Sequence, residues 1–113
     1  MRPSISVAFS DLALAKEFVR RLAQEVAPRL FRVSLFGSRA RGDADEESDL
    51  DLFVALKEND LRGEAKKAAS RIACDLTLES GILVSPFVAD KEFLKQHEGF
   101  SFLQAVEEEG VPL

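Results

Sequence analysis

Tyrosine and tryptophan are absent from the chain, and cysteine and histidine occur once each, as Cys74 and His97. One thiol cannot close a disulfide within the chain, and one cysteine with one histidine cannot furnish a structural zinc site. A Ser-His-Asp triad would rest on His97 alone, so zinc chemistry and triad hydrolysis are both poorly served. With only phenylalanine left to stack on a base, a single-stranded RNA reading is weakened. No segment approaches the ~20 apolar residues that span a bilayer. The short, serine-broken stretch after Arg2 and Pro3 is a poor secretory signal. These absences, with the lone thiol, set a cytoplasmic protein with no membrane partner as the expectation.

An excess of basic charge is missing as well. The net charge is −5 and the isoelectric point about 4.9, which opposes gripping nucleic acid through a broad basic surface. The charge is uneven, however, with +5 over residues 1–42 and −10 over residues 43–113. The sign changes between Arg41 and Asp43. At 113 residues, 46% hydrophobic and 31% charged, the chain has the size and balance of one folded domain spanning residues 1–113. It has no internal repeat and no low-complexity linker.

The periodicities alternate between helix and strand. Leu12, Ala15, Phe18, Val19, Leu22, Ala23 and Val26 recur at helical spacing behind Ser10 and Asp11, which are suited to capping, and Pro28 ends the run. Phe31, Val33 and Leu35 alternate with polar residues as in a strand, closed by Gly37. Residues 38–48 read as a polar surface turn or short helix, and 49–56 as a second strand. Ala65, Ala68, Ala69, Ile72, Ala73 and Leu76 mark a second long helix, stopped at Ser80 and Gly81. Residues 82–88 form a third strand in which Pro86 favours a sheet edge or a bulge. Asp90 caps a short helix through Lys95, and a last helix over 100–109 stops at Gly110 and Pro112. The order predicts an α/β (α+β) fold, a small mixed sheet flanked by helices. Cys74, in the alanine-rich stripe, is expected to be buried and His97 to lie at the surface. Phe100 and Phe102 cannot share one helix face, so with Phe93 they make the last segment a candidate contact surface, for another copy or for another protein.

Two short motifs carry the chemistry. Gly37-Ser38-Arg39-Ala40-Arg41-Gly42 follows a strand, where glycine lets backbone N–H groups approach a phosphate. The Ser38 hydroxyl can donate to that phosphate, and Arg39 or Arg41 can add charged donors or pair with the acidic run Asp43, Asp45, Glu46 and Glu47. That run itself reads as a solvated loop. Asp49 and Asp51 stand two apart on the next strand, so both carboxylates leave on one side, roughly 7 Å apart at Cα. Such repelling charges suit a hard cation such as Mg²⁺, which takes one or two carboxylates together with substrate phosphates. Phosphate cradle and carboxylate pair on neighbouring strand ends are what a nucleoside triphosphate requires.

This arrangement resembles the nucleotidyltransferase superfamily of DNA polymerase beta, with its Gly-Ser followed by Asp-x-Asp on a strand, over Leu35 to Val54. More narrowly it resembles the minimal nucleotidyltransferases, stand-alone domains of about this length, nearly end to end. The resemblance implies the nucleotidyltransferase fold and transfer of a nucleoside monophosphate, commonly AMP from ATP, onto a hydroxyl of a protein or other macromolecule. It gives Asp49 and Asp51 to Mg²⁺ as catalytic and metal residues, and Gly37 and Ser38, with Arg39 and Arg41, to the nucleotide. It further implies an antitoxin role beside a helical HEPN-type partner in some members.

One departure stands out. Active members carry a third carboxylate on the third strand, where it serves a second metal ion, and here Ser85 occupies the matching place. A neutral hydroxyl replaces a carboxylate neither as base nor as ligand. Asp75, Glu79 and Asp90 are the acids nearby in sequence. Two readings therefore stay open: an enzyme whose missing acid comes from elsewhere, and a nucleotide-binding interaction module that no longer turns its ligand over.

Overall fold

A computed structural model describes residues 7–113. Helix α1 (Phe9–Val26) buries Asp11, Ala15, Phe18, Leu22 and Val26, one stripe at helical spacing. Its N-cap is Ala8, with no side-chain cap, so the helix starts ahead of the Ser10–Asp11 pair expected to cap it. Pro28 sits at the start of a single 3₁₀ turn, Ala27–Arg29, where a missing N–H does no harm. Strand β1 (Leu30–Phe36) follows, then the four-residue helix α2 (Ser38–Arg41) and strand β2 (Leu50–Leu56), antiparallel to β1.

Helix α3 (Glu64–Ser80) closes on Gly81, whose φ of 77° is the left-handed conformation that ends a helix. It carries the chain across to strand β3 (Val84–Ala89), which runs parallel to β2 as such a crossover allows. Helix α4 (Lys91–Gln96) is capped by Asp90, which accepts from the Phe93 N–H at 2.9 Å. Helix α5 (Ser101–Glu109) is followed by strand β4 (Val111–Pro112), antiparallel to β1. The sheet order is β3-β2-β1-β4, a mixed sheet flanked by helices, as the fold-class expectation had it. Pro86 lies on the edge strand β3, where its missing donor breaks no ladder. Strand β4 is the element the periodicities do not announce. Two residues carry no pattern, and the pairing depends on β1 lying beside them.

The sheet has two unlike faces. Val33, Leu35, Leu50, Leu52, Val54, Leu56 and Val84 point to one side and pack with α1 and α3 into the main core. The alanines of α3 keep that helix close to α1 and the sheet. On the other face Phe53, Ala55 and Ala89 pack with Val106 of α5, beside Phe36, Phe93, Leu94 and Leu103. Cys74 is exposed, contrary to expectation: it follows Ala73 in the buried stripe, and one helical step of 100° turns it to solvent. His97 is half-buried, its ring stacked on Phe93 at 4.1 Å. Phe102 packs against Phe36 and Phe53, and Phe100 against His97, so the two do diverge, though each ring keeps an exposed part.

Candidate functional site

The end of β1, the start of β2 and the start of β3 meet at one end of the sheet, and the two motifs meet there. Gly37 has φ 78° and ψ −162°, a backbone region open essentially to glycine. A Cβ built on Gly37 would stand 2.5 Å from Asp51 Oδ2. Glycine is thus required twice, once by the backbone and once because the carboxylate of Asp51 fills the place of its side chain. Ser38 opens α2, whose first N–H groups have no intrahelical acceptor.

Asp51 is aligned with Phe36 on β1 and with Ser85 on β3, so these three residues share one sheet face. Leu50 and Leu52 on either side are fully buried on the opposite face. Asp49 and Asp51 are half-buried. Burial, and then the charge of Asp49, raises the Asp51 carboxyl above its ordinary value. Among the described residues neither carboxylate has a hydrogen-bond or ion-pair partner. Two unpaired, mutually repelling oxygen donors beside an open glycine corner fit a hard dication such as Mg²⁺. Among the described residues no group of three or more acids, histidines or cysteines is placed so that it could hold a metal ion.

The two arginines behave differently from Gly37 and Ser38. Arg39, expected at the phosphate, is buried, and all three of its guanidinium nitrogens are engaged elsewhere. Nη1 donates to Asp11 Oδ1 at 2.8 Å, Nε to the Ser48 carbonyl at 2.9 Å and Nη2 to the Asp45 carbonyl at 3.3 Å. It ties α1 to the loop that delivers Asp49. That loop is further held by Asp45, whose Oδ1 accepts from the Glu47 N–H at 2.9 Å and from Ser48 Oγ at 3.2 Å. Arg41 is exposed and lies 3.3 Å from Asp43, the pairing with the acidic run that its position allows. Asp11 is the residue sequence reasoning missed. Its signal was an acid standing on the apolar stripe of α1, where burial demands a cation.

Ser85 does stand beside Asp51 on the next strand. Of the other nearby acids, Glu79 is paired with Arg21 at 2.9 Å and Asp90 is taken up in capping α4. Asp75 is exposed on α3.

The model of the nucleotidyltransferase domain family matches residues 15–108. The chain belongs to that family. A relative from Methanocaldococcus jannaschii, which carries the provisional name of a protein adenylyltransferase, is 38% identical over 100 residues, 88% of this chain and 95% of its own. Among solved structures, a provisionally named nucleotidyltransferase from Sulfolobus solfataricus matches this nucleotidyltransferase domain with a TM-score of 0.62 and 26% identity, over 99% of this chain and 86% of that one. A toxin–antitoxin structure with AMP-PNP matches with a TM-score of 0.54 over 86% of this chain and 70% of that one, at 19% identity, and speaks to the fold alone. Among the described residues of this nucleotidyltransferase domain no helix is long and apolar enough to cross a membrane.

Proposed function

We propose that this nucleotidyltransferase domain transfers AMP from ATP to a hydroxyl of a partner protein, with Asp49 and Asp51 holding Mg²⁺ and Gly37 and Ser38 receiving the triphosphate. The observation that carries the reading is the contact geometry of Gly37 and Asp51: carboxylate and phosphate corner adjoin, with no side chain between them. When bound, Mg²⁺ would neutralise the aspartate pair and polarise the phosphate oxygens. The glycine corner holds the triphosphate in line with the aspartates, and the buried Arg39 keeps the Asp49 loop in register with it. In the transfer the acceptor oxygen bonds the α-phosphorus, the bond from that phosphorus to the β-phosphate oxygen breaks, pyrophosphate leaves and the hydroxyl proton is released. The relative named as a protein adenylyltransferase supports a protein acceptor, and a toxin–antitoxin neighbour of the same fold is consistent with a partner protein; the resemblance to the minimal nucleotidyltransferases makes a helical HEPN-type protein that partner.

The test is calorimetry with Mg–ATP followed by incubation with α-labelled ATP and the partner. Binding that vanishes in Asp49→Asn and Asp51→Asn, with label moving to the partner, is the expected result. Silence for every metal–triphosphate would overturn it. Ser85 beside Asp51, in place of an acid, favours a second reading, a nucleotide-binding antitoxin that neutralises by occupancy. Partner neutralisation that survives Asp49→Ala with Asp51→Ala, with no label transfer by the unmodified chain, would select this second reading.

A further inference from the structure

The chain holds nine phenylalanines, and the fold gathers five of them, Phe36, Phe53, Phe87, Phe93 and Phe102, around the face of the sheet that carries Asp51 and Ser85. Phe53 and Phe87 are register partners with stacked rings 6.0 Å apart, and Phe102 of α5 leans on Phe36, Phe53 and Phe87 at 5.7, 6.1 and 5.3 Å. A cluster serving only as core would be closed over. Here Phe53 is 2% exposed, but Phe87 keeps 39% and Phe102 41% of its surface open. The two open rings belong to the part of the cluster beside the edge strand β3.

Their place follows from register. The phosphate corner Gly37–Ser38 follows β1, Asp49 immediately precedes β2 and Asp51 is its second residue, and Ser85 aligns with Asp51 on β3. A ligand running from corner to β3 crosses two strand spacings, about 9.6 Å. Phe87 lies two residues past Ser85 on the same face, about 6.6 Å further along the strand. The in-line position opposite the leaving pyrophosphate belongs to the acceptor hydroxyl, so the nucleoside leaves the α-phosphorus to the side, along the sheet face on which Phe87 and Phe102 stand. Resting on the nucleotide site argued above, we infer that these two rings are a stacking platform for the nucleobase. Such a platform reads a π-face and no hydrogen-bonding edge, so it holds adenine and guanine alike and the smaller pyrimidines less well.

The full chain is titrated with Mg–ATP and, separately, with Mg–tripolyphosphate, which keeps the charged tail and lacks the base. Phe87→Leu and Phe102→Leu keep apolar volume and remove the π-face, and Phe31→Leu, at an exposed phenylalanine elsewhere, is the control. The expected result is ATP affinity lowered about 5- to 150-fold in the two variants, the range of single-base stacking, with tripolyphosphate affinity and the control unchanged. Equal affinity of the unmodified chain for ATP and tripolyphosphate would overturn the platform while leaving the phosphate and metal site standing. So would leucine variants that weaken only association with a partner protein. Failure of both ligands to bind would instead remove the nucleotide site, and the platform with it.

Discussion

Asp11→Ala is the sharpest test of how the site is held together, because Asp11 lies outside both motifs and reaches one of them only through Arg39. Its carboxylate meets Arg39 Nη1 at 2.8 Å, with the two side chains 7% and 8% exposed. Removing one partner of a buried pair costs about 3–5 kcal/mol, since the remaining charge stays desolvated. Arg39 would still donate to the Ser48 and Asp45 carbonyls, so the low end, about 3 kcal/mol, applies. Against a total of roughly 5–15 kcal/mol, that is a large fraction, and it corresponds to a fall in Tm of about 13 °C. Thermal and urea unfolding measure it. Replacing both partners, Asp11→Leu with Arg39→Met, should recover part of the loss, because no buried charge is then left alone. The loop leading into Asp49 should also loosen, so Mg–ATP affinity should fall in Asp11→Ala under conditions where the protein remains folded. A change below about 1 kcal/mol, the worth of an exposed pair, with unchanged ATP affinity, would refute the claim that this pair positions the site.

Gly37→Ala should lose about 1–3 kcal/mol of stability through its backbone alone and abolish Mg–ATP binding, because the new methyl would meet Asp51 Oδ2; urea melts and calorimetry check the two effects. Asp51→Asn should raise Tm at pH 7 while destroying metal binding. The folded-state carboxyl is raised above its unfolded value, so its ionisation destabilises the fold as pH climbs above about 3.9. The gain over the unmodified chain should therefore fade on acidification toward that pH, and a Tm difference that ignores pH would contradict the burial argument. Ser85→Asp, beside Asp51 in register, should tighten Mg²⁺ on the order of ten-fold through the added ligand charge. It should also lower Tm when metal is withheld, both effects being read in melts with and without Mg²⁺.

What could be read from the sequence was local, and what could not was long-range. The helical stripes of α1 and α3, the alternation in β1 and the Gly-Ser and Asp-x-Asp motifs each lie within a short stretch, so spacing alone locates them. Pro86 announced an edge strand because a missing donor is a property of one residue. Strand β4 could not be seen, since its two residues acquire meaning only through Ser34 and Leu35. Cys74 was misjudged by a single helical step, the angular error that separates core from surface.

Arg39 shows how a long-range contact bears on function. A cation beside a glycine corner invites a phosphate role, and the local pattern sets against it only the acidic run, whose Asp45 carbonyl does take Arg39 Nη2. The opposing fact lies 28 positions away in sequence, an acid on an apolar helical stripe. Neither Asp11 nor Arg39 can be buried without a counter-charge, so each explains the other. The pairing that satisfies them also joins α1 to the loop before Asp49. The motifs thus specify which groups make the candidate site, while their alignment depends on a buried pair of which the motifs contain only Arg39. A chain that kept Gly37, Ser38, Asp49 and Asp51 but lost Asp11 would retain the signature and should lose the geometry.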